Sequence, residues 1–412
     1  MSMIRDITLK EAGHKKIAWV RDYMPVLSSL EEEYSVTKPL AGLKVAVCVH
    51  LEAKTAYLCY VLRAAGAEVF ATGSNPLSTK DEICAALVDD GFEVNAWFDA
   101  TDEEYHEHIR ATLACCPDII IDDGGDFVKM LHDEHPEYGV NLIGGSEETT
   151  TGILRLKARA EAGQLNFPMM AVNDAYSKYL FDNHHGTGQS VWDALMFTTN
   201  VMLSGKTVVV AGYGHCSSGI AQRASGLGAN VIVTEINPFR ALEAAMDGFR
   251  VMTMDEAAPL GDIFITSTGC TDVIVRRHFE KMKHNALLAN AGHFDVEVSR
   301  RDLEQMAVEK FNRKPFIDGY VLEDGRILNL LAEGRLVNIA AGNGHPADIM
   351  DLSFSIQFLS ALYLARNGKG LKPDLYNIPA ELDEEVAQRK CRAMGLALDT
   401  LTPEQEAYLN AQ

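Results

Sequence analysis

The stretch VVVAGYGHCSSGIAQRASGLGANVIVTE, residues 208–235, decides how the chain is read. A β-branched run ends in Gly-x-Gly, a helix-compatible segment follows, and a second apolar run closes on a glutamate. That order is the strand, tight turn, helix, strand and terminal acid of a dinucleotide-binding unit. Gly212 permits the turn and Gly214 lets the backbone approach a pyrophosphate. Ser217 replaces the third glycine, whose role is close packing of helix on strand, and Gly219 lies two residues on. The N–H groups at the helix start still suit a phosphate pair. Glu235 is placed to accept from both ribose hydroxyls and to repel a 2′-phosphate, so NAD is expected over NADP, with Arg240 as a nearby complication.

The chain has 412 residues, which suits two domains. Apolar residues at 47% and charged residues at 23% belong to a globular protein. No apolar run is long enough to span a membrane, and the first residues lack the apolar core of a signal peptide, so a cytoplasmic location is expected. A net charge of -21 argues against a nucleic-acid surface. The eight cysteines include no C-x-x-C pair, so neither a disulfide framework nor a metal site is expected.

Strand-like runs alternate with helical stretches from LKVAVCV (43–49) through AEVFAT, FEVNAW and DIIID to PMMAV (168–172), and again from KTVVVA (206–211) through NVIVTE, DIFITST and ALLANA. This predicts an α/β protein with two doubly wound, Rossmann-like sheets. Beyond residue 346 the pattern turns helical; DIMDLSFSIQFLSALYLARNG reads as a core-packing helix, and the charged tail from 380 reads as a segment that packs on a neighbouring subunit.

Polar clusters follow the predicted strands, where open α/β sheets place their ligands. His50 follows the first and Ser78 the second; Asp122, Asp123 and Asp126 follow the fourth in IIIDDGGDF. GGSEETTTG (144–152) reads either as a helix start capped by Ser146 or as a site, its three threonines exceeding what capping needs. Lys178 and Asp182 share a helical face, as a plain ion pair or as a pair able to deprotonate a substrate hydroxyl. His293 and His345 each stand beside glycine in late loops.

The blocks VCVHLEAKTA, SNPLSTKD, DDGGD, GGSEETTTG, VND…SK…FDN, AGYG, VIVTE, STGC, AGHFDVE and LLAEGRLVN…GHP, in this order, resemble the S-adenosylhomocysteine hydrolase family over about residues 40–350. The resemblance implies reversible hydrolysis of a nucleoside thioether: oxidation at C3′ acidifies C4′–H, homocysteine leaves C5′, water adds, and the stored hydride returns. It implies catalytic roles for His50, Asp123, Glu148, Lys178, Asp182 and His293, and substrate contacts for Glu52, Lys54, Ser78, Asp126, Thr149 and His345. Tightly bound NAD would be held by Thr149, Thr150, Thr151, Asn183, Gly212, Gly214, Ser217, Glu235, Thr268 and Asn338. It further implies a substrate domain at 1–183 completed by 346–380, an NAD domain at 184–345, an oligomerisation segment at 381–412, and a tetramer.

The chain departs from the long family members in four places. It resembles the short form, without the Lys- and Tyr-bearing tail that reaches a neighbour's NAD site. Ser217 and His215 alter the glycine turn. Thr187 replaces a cysteine, so no thiol is expected there. Glu52 and Lys54 stand where Thr and Glu read adenine; a lysine that donates to a C6 carbonyl and a glutamate that accepts from N1–H would match hypoxanthine, so S-inosylhomocysteine is the alternative substrate. A regulatory relative without turnover would be expected to lack one of the catalytic set. A hydroxyacid dehydrogenase would need an arginine for a substrate carboxylate, and the clusters above contain none.

Overall fold

Apolar β-branched runs and amphipathic helices build two sheets, as the alternation predicts. A computed structural model describes residues 2–411. The first sheet holds β1 (Lys44–Cys48), β2 (Glu68–Thr72), β3 (Glu93–Val94), β4 (Ile119–Asp122), β5 (Gly144–Glu147), β6 (Met169–Ala171) and, from late in the chain, β15 (Leu375–Asn377). They are all parallel, in the order β15-β6-β5-β4-β1-β2-β3. The second sheet holds β7 (Thr207–Ala211), β8 (Asn230–Thr234), β9 (Arg250–Val251), β10 (Ile263–Thr266), β11 (Leu287–Asn290), β12 (Ala307–Lys314), β13 (Ile317–Leu322) and β14 (Ile327–Leu331). Its order is β12-β13-β14-β11-β10-β7-β8-β9, parallel except around β13.

Each sheet reverses its winding once, and ligands bind outside the strand ends at such a point. In the first sheet the reversal falls between β1 and β4, so His50 and Asp123 flank it. In the second it falls between β7 and β10, so the Gly212–Gly214 turn and Thr268 flank it.

Two readings from sequence are corrected. Residues 144–147 are strand β5, not the start of a helix: Ser146 is buried within it and donates to Gln357 Oε1 at 2.5 Å. Gly145 lies between two neighbouring strands so tightly that a Cβ would stand 2.3 Å from Ile120 Cγ1, which explains glycine where a β-branched residue would be the usual strand signal. The helix cap is Thr149, whose hydroxyl accepts from Gly152 N–H. The antiparallel β12–β13 pair is an addition that the parallel pattern gave no reason to expect.

The helix Ala347–Asn367 is buried along most of its length, as expected for core packing. Its polar residues do more than pack, however. Ser353 donates to Asp182 Oδ2 at 2.9 Å and Gln357 Nε2 donates to Glu148 Oε2 at 2.6 Å, so one helix holds two carboxylates of the site. The helix Ala380–Ala393 returns to its own chain, where Asp383 accepts from the N–H groups of Tyr176 and Ser177.

Candidate active site

The two winding reversals open into one cavity of about 1130 Å³. Its lining includes His50, Glu52, Lys54, Ser78, Asp123, Glu148, Thr149, Thr150, Thr151, Lys178, Asp182, Asn183, Gly214, Thr268, His293, Asn338 and His345. Asp126, Gly212, Ser217 and Glu235 are not among its lining residues. A smaller cavity, about 450 Å³, lies at the opposite strand ends of the second sheet and contains none of these residues.

Lys178 is the centre of charge. Its Nζ lies 3.2 Å from Asp182 Oδ2 and 3.8 Å from Glu148 Oε1, and it donates to Asn183 Oδ1 at 2.9 Å. Burial alone would favour the neutral amine, but Asp182 and Glu148 outweigh it and raise the lysine above its ordinary value. Asp182 is held well below the usual carboxylate range: burial opposes this, and Lys178, His345 and Ser353 overcome it. His345 Nδ1 pairs directly with Asp182 Oδ1. Burial pushes Glu148 up to about 8, against the attraction of Lys178.

The second group gathers at the β1/β4 reversal. His50 Nδ1 is 2.7 Å from Ser78 Oγ, and that hydroxyl donates to Asn75 O at 2.8 Å. With the serine proton committed, Nδ1 is the donating nitrogen and Nε2 carries the free lone pair, 3.7 Å from Asp123 Oδ2. Burial lowers the His50 pKa, which keeps the ring neutral and able to accept a proton. Ser74 Oγ donates to Asp123 Oδ2 at 3.0 Å.

Three buried oxygens facing this region have no hydrogen-bond partner among the described residues: Asp123 Oδ1, Glu148 Oε1 and Asn338 Oδ1. Buried polar atoms are seldom left so, and here they are what a polar ligand would satisfy. A nicotinamide dinucleotide fits the other end. Gly212 has φ +93°, where a side chain would be strained, and a Cβ would lie 3.0 Å from Ser267 O. Nothing stands within 4 Å of a Cβ built on Gly214, so the helix start is open to a phosphate. Ser217 is fully buried and donates to Ser267 O at 2.9 Å, tying the helix to the end of β10. Gly219 supplies a close approach of its own, since a Cβ would stand 1.9 Å from His184 O. Glu235 accepts from Tyr213 N–H at 2.7 Å at the glycine turn. Arg240 pairs with Glu243 at 2.6 Å on the exposed face of its helix.

One expectation fails outright. A thiol does stand beside Thr187: Cys216, from the glycine turn, lies 3.6 Å from the Thr187 hydroxyl and from Asn183 Nδ2, and lines the cavity. The polar clusters contain no arginine, but Arg155, three residues beyond GGSEETTTG, lines the same cavity. Glu147 and Glu297 were missed as well. Glu147 accepts from Gly124 N at 2.8 Å and Thr149 N at 2.9 Å, joining the Asp123 loop to the Glu148–Thr149 segment. Glu297 accepts from the N–H groups of Thr268 and Gly269. The only available signal was that each is a carboxylate beside a motif already identified.

A glycine turn for a dinucleotide at one winding reversal, opening onto a buried lysine, carboxylates and histidines at another, defines an NAD-dependent enzyme for a small polar substrate. Residues 183–344 match the model for the NAD-binding domain of S-adenosyl-L-homocysteine hydrolase, and residues 1–143 match the model for S-adenosyl-L-homocysteine hydrolase itself. The chain is 53% identical over 409 residues to S-inosyl-L-homocysteine hydrolase of Methanopyrus kandleri, covering 99% of this chain and 96% of that one. It is 52% identical over 408 residues to adenosylhomocysteinase of Pyrococcus abyssi (99% and 97%) and 51% identical over 409 residues to S-inosyl-L-homocysteine hydrolase of Methanocaldococcus jannaschii (99% and 98%). The chain belongs to the S-adenosyl-L-homocysteine hydrolase family.

Proposed function

We propose that the protein catalyses reversible hydrolysis of S-adenosyl-L-homocysteine to adenosine and L-homocysteine. The observation that carries this reading is the buried Lys178–Asp182–Glu148 group beside His50 and Asp123, in one cavity with the dinucleotide turn. Bound NAD supplies the transient oxidation of the 3′-carbon that makes the neighbouring C4′–H acidic.

This chain's own residues handle the protons. Lys178 and Asp182 take and return the proton of the 3′-hydroxyl, with Glu148 and the Thr149 segment holding the ribose. The carboxylates keep Lys178 as an ammonium in the free chain, and positive charge entering with the bound cofactor would push it back toward the amine. His50 Nε2 and Asp123 serve C4′ and C5′, where a proton leaves the carbon and one is given to the departing sulfur. His293 and His345 close the cavity over the substrate. Release of free thiol from the thioether, measured with a thiol reagent, tests the reading; no release from either nucleoside thioether would refute it.

The second reading is hydrolysis of S-inosyl-L-homocysteine. It is supported by the similarity to S-inosyl-L-homocysteine hydrolases and bears on Lys54, which is buried and lines the cavity with Nζ 3.0 Å from Glu52 Oε2 and 3.1 Å from Asn343 O. The pair offers one donor and one acceptor. Donation to a C6 carbonyl suits hypoxanthine; donation to N1, with Glu52 accepting from the amino group, suits adenine. Comparison of kcat/KM for the two thioethers decides between them.

The domain division at residues 183, 345 and 380 is proposed on the separation of the two sheets and on the pairing of β15 with β6. A homotetramer is proposed on exposed apolar side chains toward the end of the chain, among them Leu398, Leu401, Tyr408 and Leu409.

A further inference from the structure

We propose that Arg155 is the receptor for the α-carboxylate of the homocysteine portion of the substrate. The proposal rests on the thioether-hydrolase reading above. That substrate carries a carboxylate on a short flexible chain beyond the sulfur, and nothing so far assigned meets it.

Among the described residues, six lysine and arginine side chains line the cavity: Lys15, Lys16, Lys54, Lys80, Arg155 and Lys178. Lys178 is locked between Asp182 and Glu148, Lys54 is paired with Glu52, and Lys16 is paired with Glu82 at 2.5 Å. Lys80 feels the charges of Glu82, Lys16, Glu52 and Lys54, and Lys15 adjoins Lys16, so both stand on the side given to the base. Among the described residues that line the cavity, Arg155 is the lysine or arginine on the other side.

Its placement brackets the point where the carbon–sulfur bond breaks. Arg155 Nη1 donates to Gly124 O at 2.7 Å, gripping the residue next to Asp123. Its guanidinium carbon lies 5.4 Å from the centre of the Phe294 ring, next to His293, and His293 Nε2 in turn lies 3.2 Å from the position of a Cβ on Gly124. A chain leaving C5′ between Asp123 and His293 therefore runs toward this guanidinium. Asp126 sits behind it: Oδ2 accepts from Tyr105 at 2.8 Å and Oδ1 lies 3.6 Å from Arg155 Nη1, too long for a direct hydrogen bond. Gly124 O and Asp126 both engage Nη1, and the Phe294 face fixes the plane, so Nε and Nη2 remain as the two parallel N–H donors that match a carboxylate. The Arg155 side chain is 46% exposed, which leaves a ligand room to approach. Asp126, expected to touch substrate, here acts through Arg155.

The test is thioether synthesis by the NAD-loaded enzyme from nucleoside and thiol, using homocysteine and 3-aminopropane-1-thiol, which lacks the carboxylate. Arg155→Met should raise the KM for homocysteine by roughly 10- to 100-fold, leave the nucleoside KM within about twofold, and abolish the preference for homocysteine over the shorter thiol. Arg155→Lys should restore part of that preference. Reduction of bound NAD by nucleoside alone, followed by absorbance, should be unchanged in both variants. Equal loss with both thiols, or a nucleoside KM that rises in step, would overturn the proposal and make Arg155 a support for the Gly124 loop. Failure of the unaltered enzyme to join homocysteine to either nucleoside overturns the parent reading and this one with it.

Discussion

Lys178 Nζ lies 3.2 Å from Asp182 Oδ2, one helical turn along the chain, with both side chains almost wholly buried and His345 on the far oxygen of the carboxylate. A lysine held in this way is a proton carrier whose state follows the charges around it. Lys178→Met should lower kcat by about 10²- to 10⁴-fold while the purified protein still carries nicotinamide, since the methionine keeps most of the packing volume. Loss of the cofactor together with activity would mean that the lysine holds the fold of the site rather than moving a proton.

Glu147 should act on the reaction through the loops it joins. Its Oε1 collects the N–H groups of Gly124 and Thr149, and burial holds its carboxyl well above the usual range. A Cβ on Gly152 would stand 2.0 Å from the Glu147 carboxyl carbon, so the space is shaped around that group. Glu147→Gln keeps the acceptor and should retain activity to within about tenfold, whereas Glu147→Ala leaves the buried Gly124 N–H and the part-buried Thr149 N–H unpaired and should cost stability of about 1–3 kcal/mol for the buried one. Urea midpoints and kcat for both variants check this; equal effects would sink it.

Stability should fall with rising pH in a window set by Asp122. Burial, with the nearby charges of Asp126 and Asp123, pushes its carboxyl up to about 7 from 3.8, although Val128 N–H opposes the shift. Between those two values the folded chain binds a proton that the unfolded chain has lost, so stability declines as pH rises and levels off above the window. Asp122→Asn removes that proton exchange. The variant is expected to be less stable overall, yet its unfolding free energy should decline less steeply from pH 4 to 7, by up to about 1.4 kcal/mol per pH unit. Parallel slopes would contradict the assignment.

Cys216 offers a labelling test of the cavity. Its thiol lines the cavity beside Thr187 and Asn183, and burial raises its pKa, so it should react slowly with iodoacetamide while exposed Cys270 reacts fast. Bound nucleoside should slow Cys216 further and leave Cys270 unchanged. Peptide mapping by mass spectrometry reads both; modification of Cys216 indifferent to nucleoside would place it outside the site.

The two sheets and the residues at their winding reversals were legible because strand, turn and terminal acid leave a local pattern. His50, Asp123 and the Gly212–Gly214 turn were found in this way. What stayed hidden was whatever depends on distant parts of the chain meeting. Strand β5 reads as a helix start or a site because its glycines answer to the packing of neighbours, Ile120 among them, rather than to strand propensity. Gln357 and Ser353 lie in a helix whose apolar spacing announces only a core, yet they hold Glu148 and Asp182 from more than 170 residues away. Cys216 and Arg155 each sit within or next to a recognised motif, but which way a side chain turns is decided by tertiary packing. The thiol beside Thr187 therefore had no signature at the Thr187 position itself.

The central claim is that oxidation at C3′ frees the C4′ hydrogen before sulfur departs. The most direct measurement is mass spectrometry or NMR of nucleoside incubated with NAD-loaded enzyme in heavy water, without homocysteine. Deuterium at C4′ of recovered nucleoside, absent with Lys178→Met, is the result this account predicts; thioether turnover in heavy water that leaves C4′ wholly protiated would contradict it.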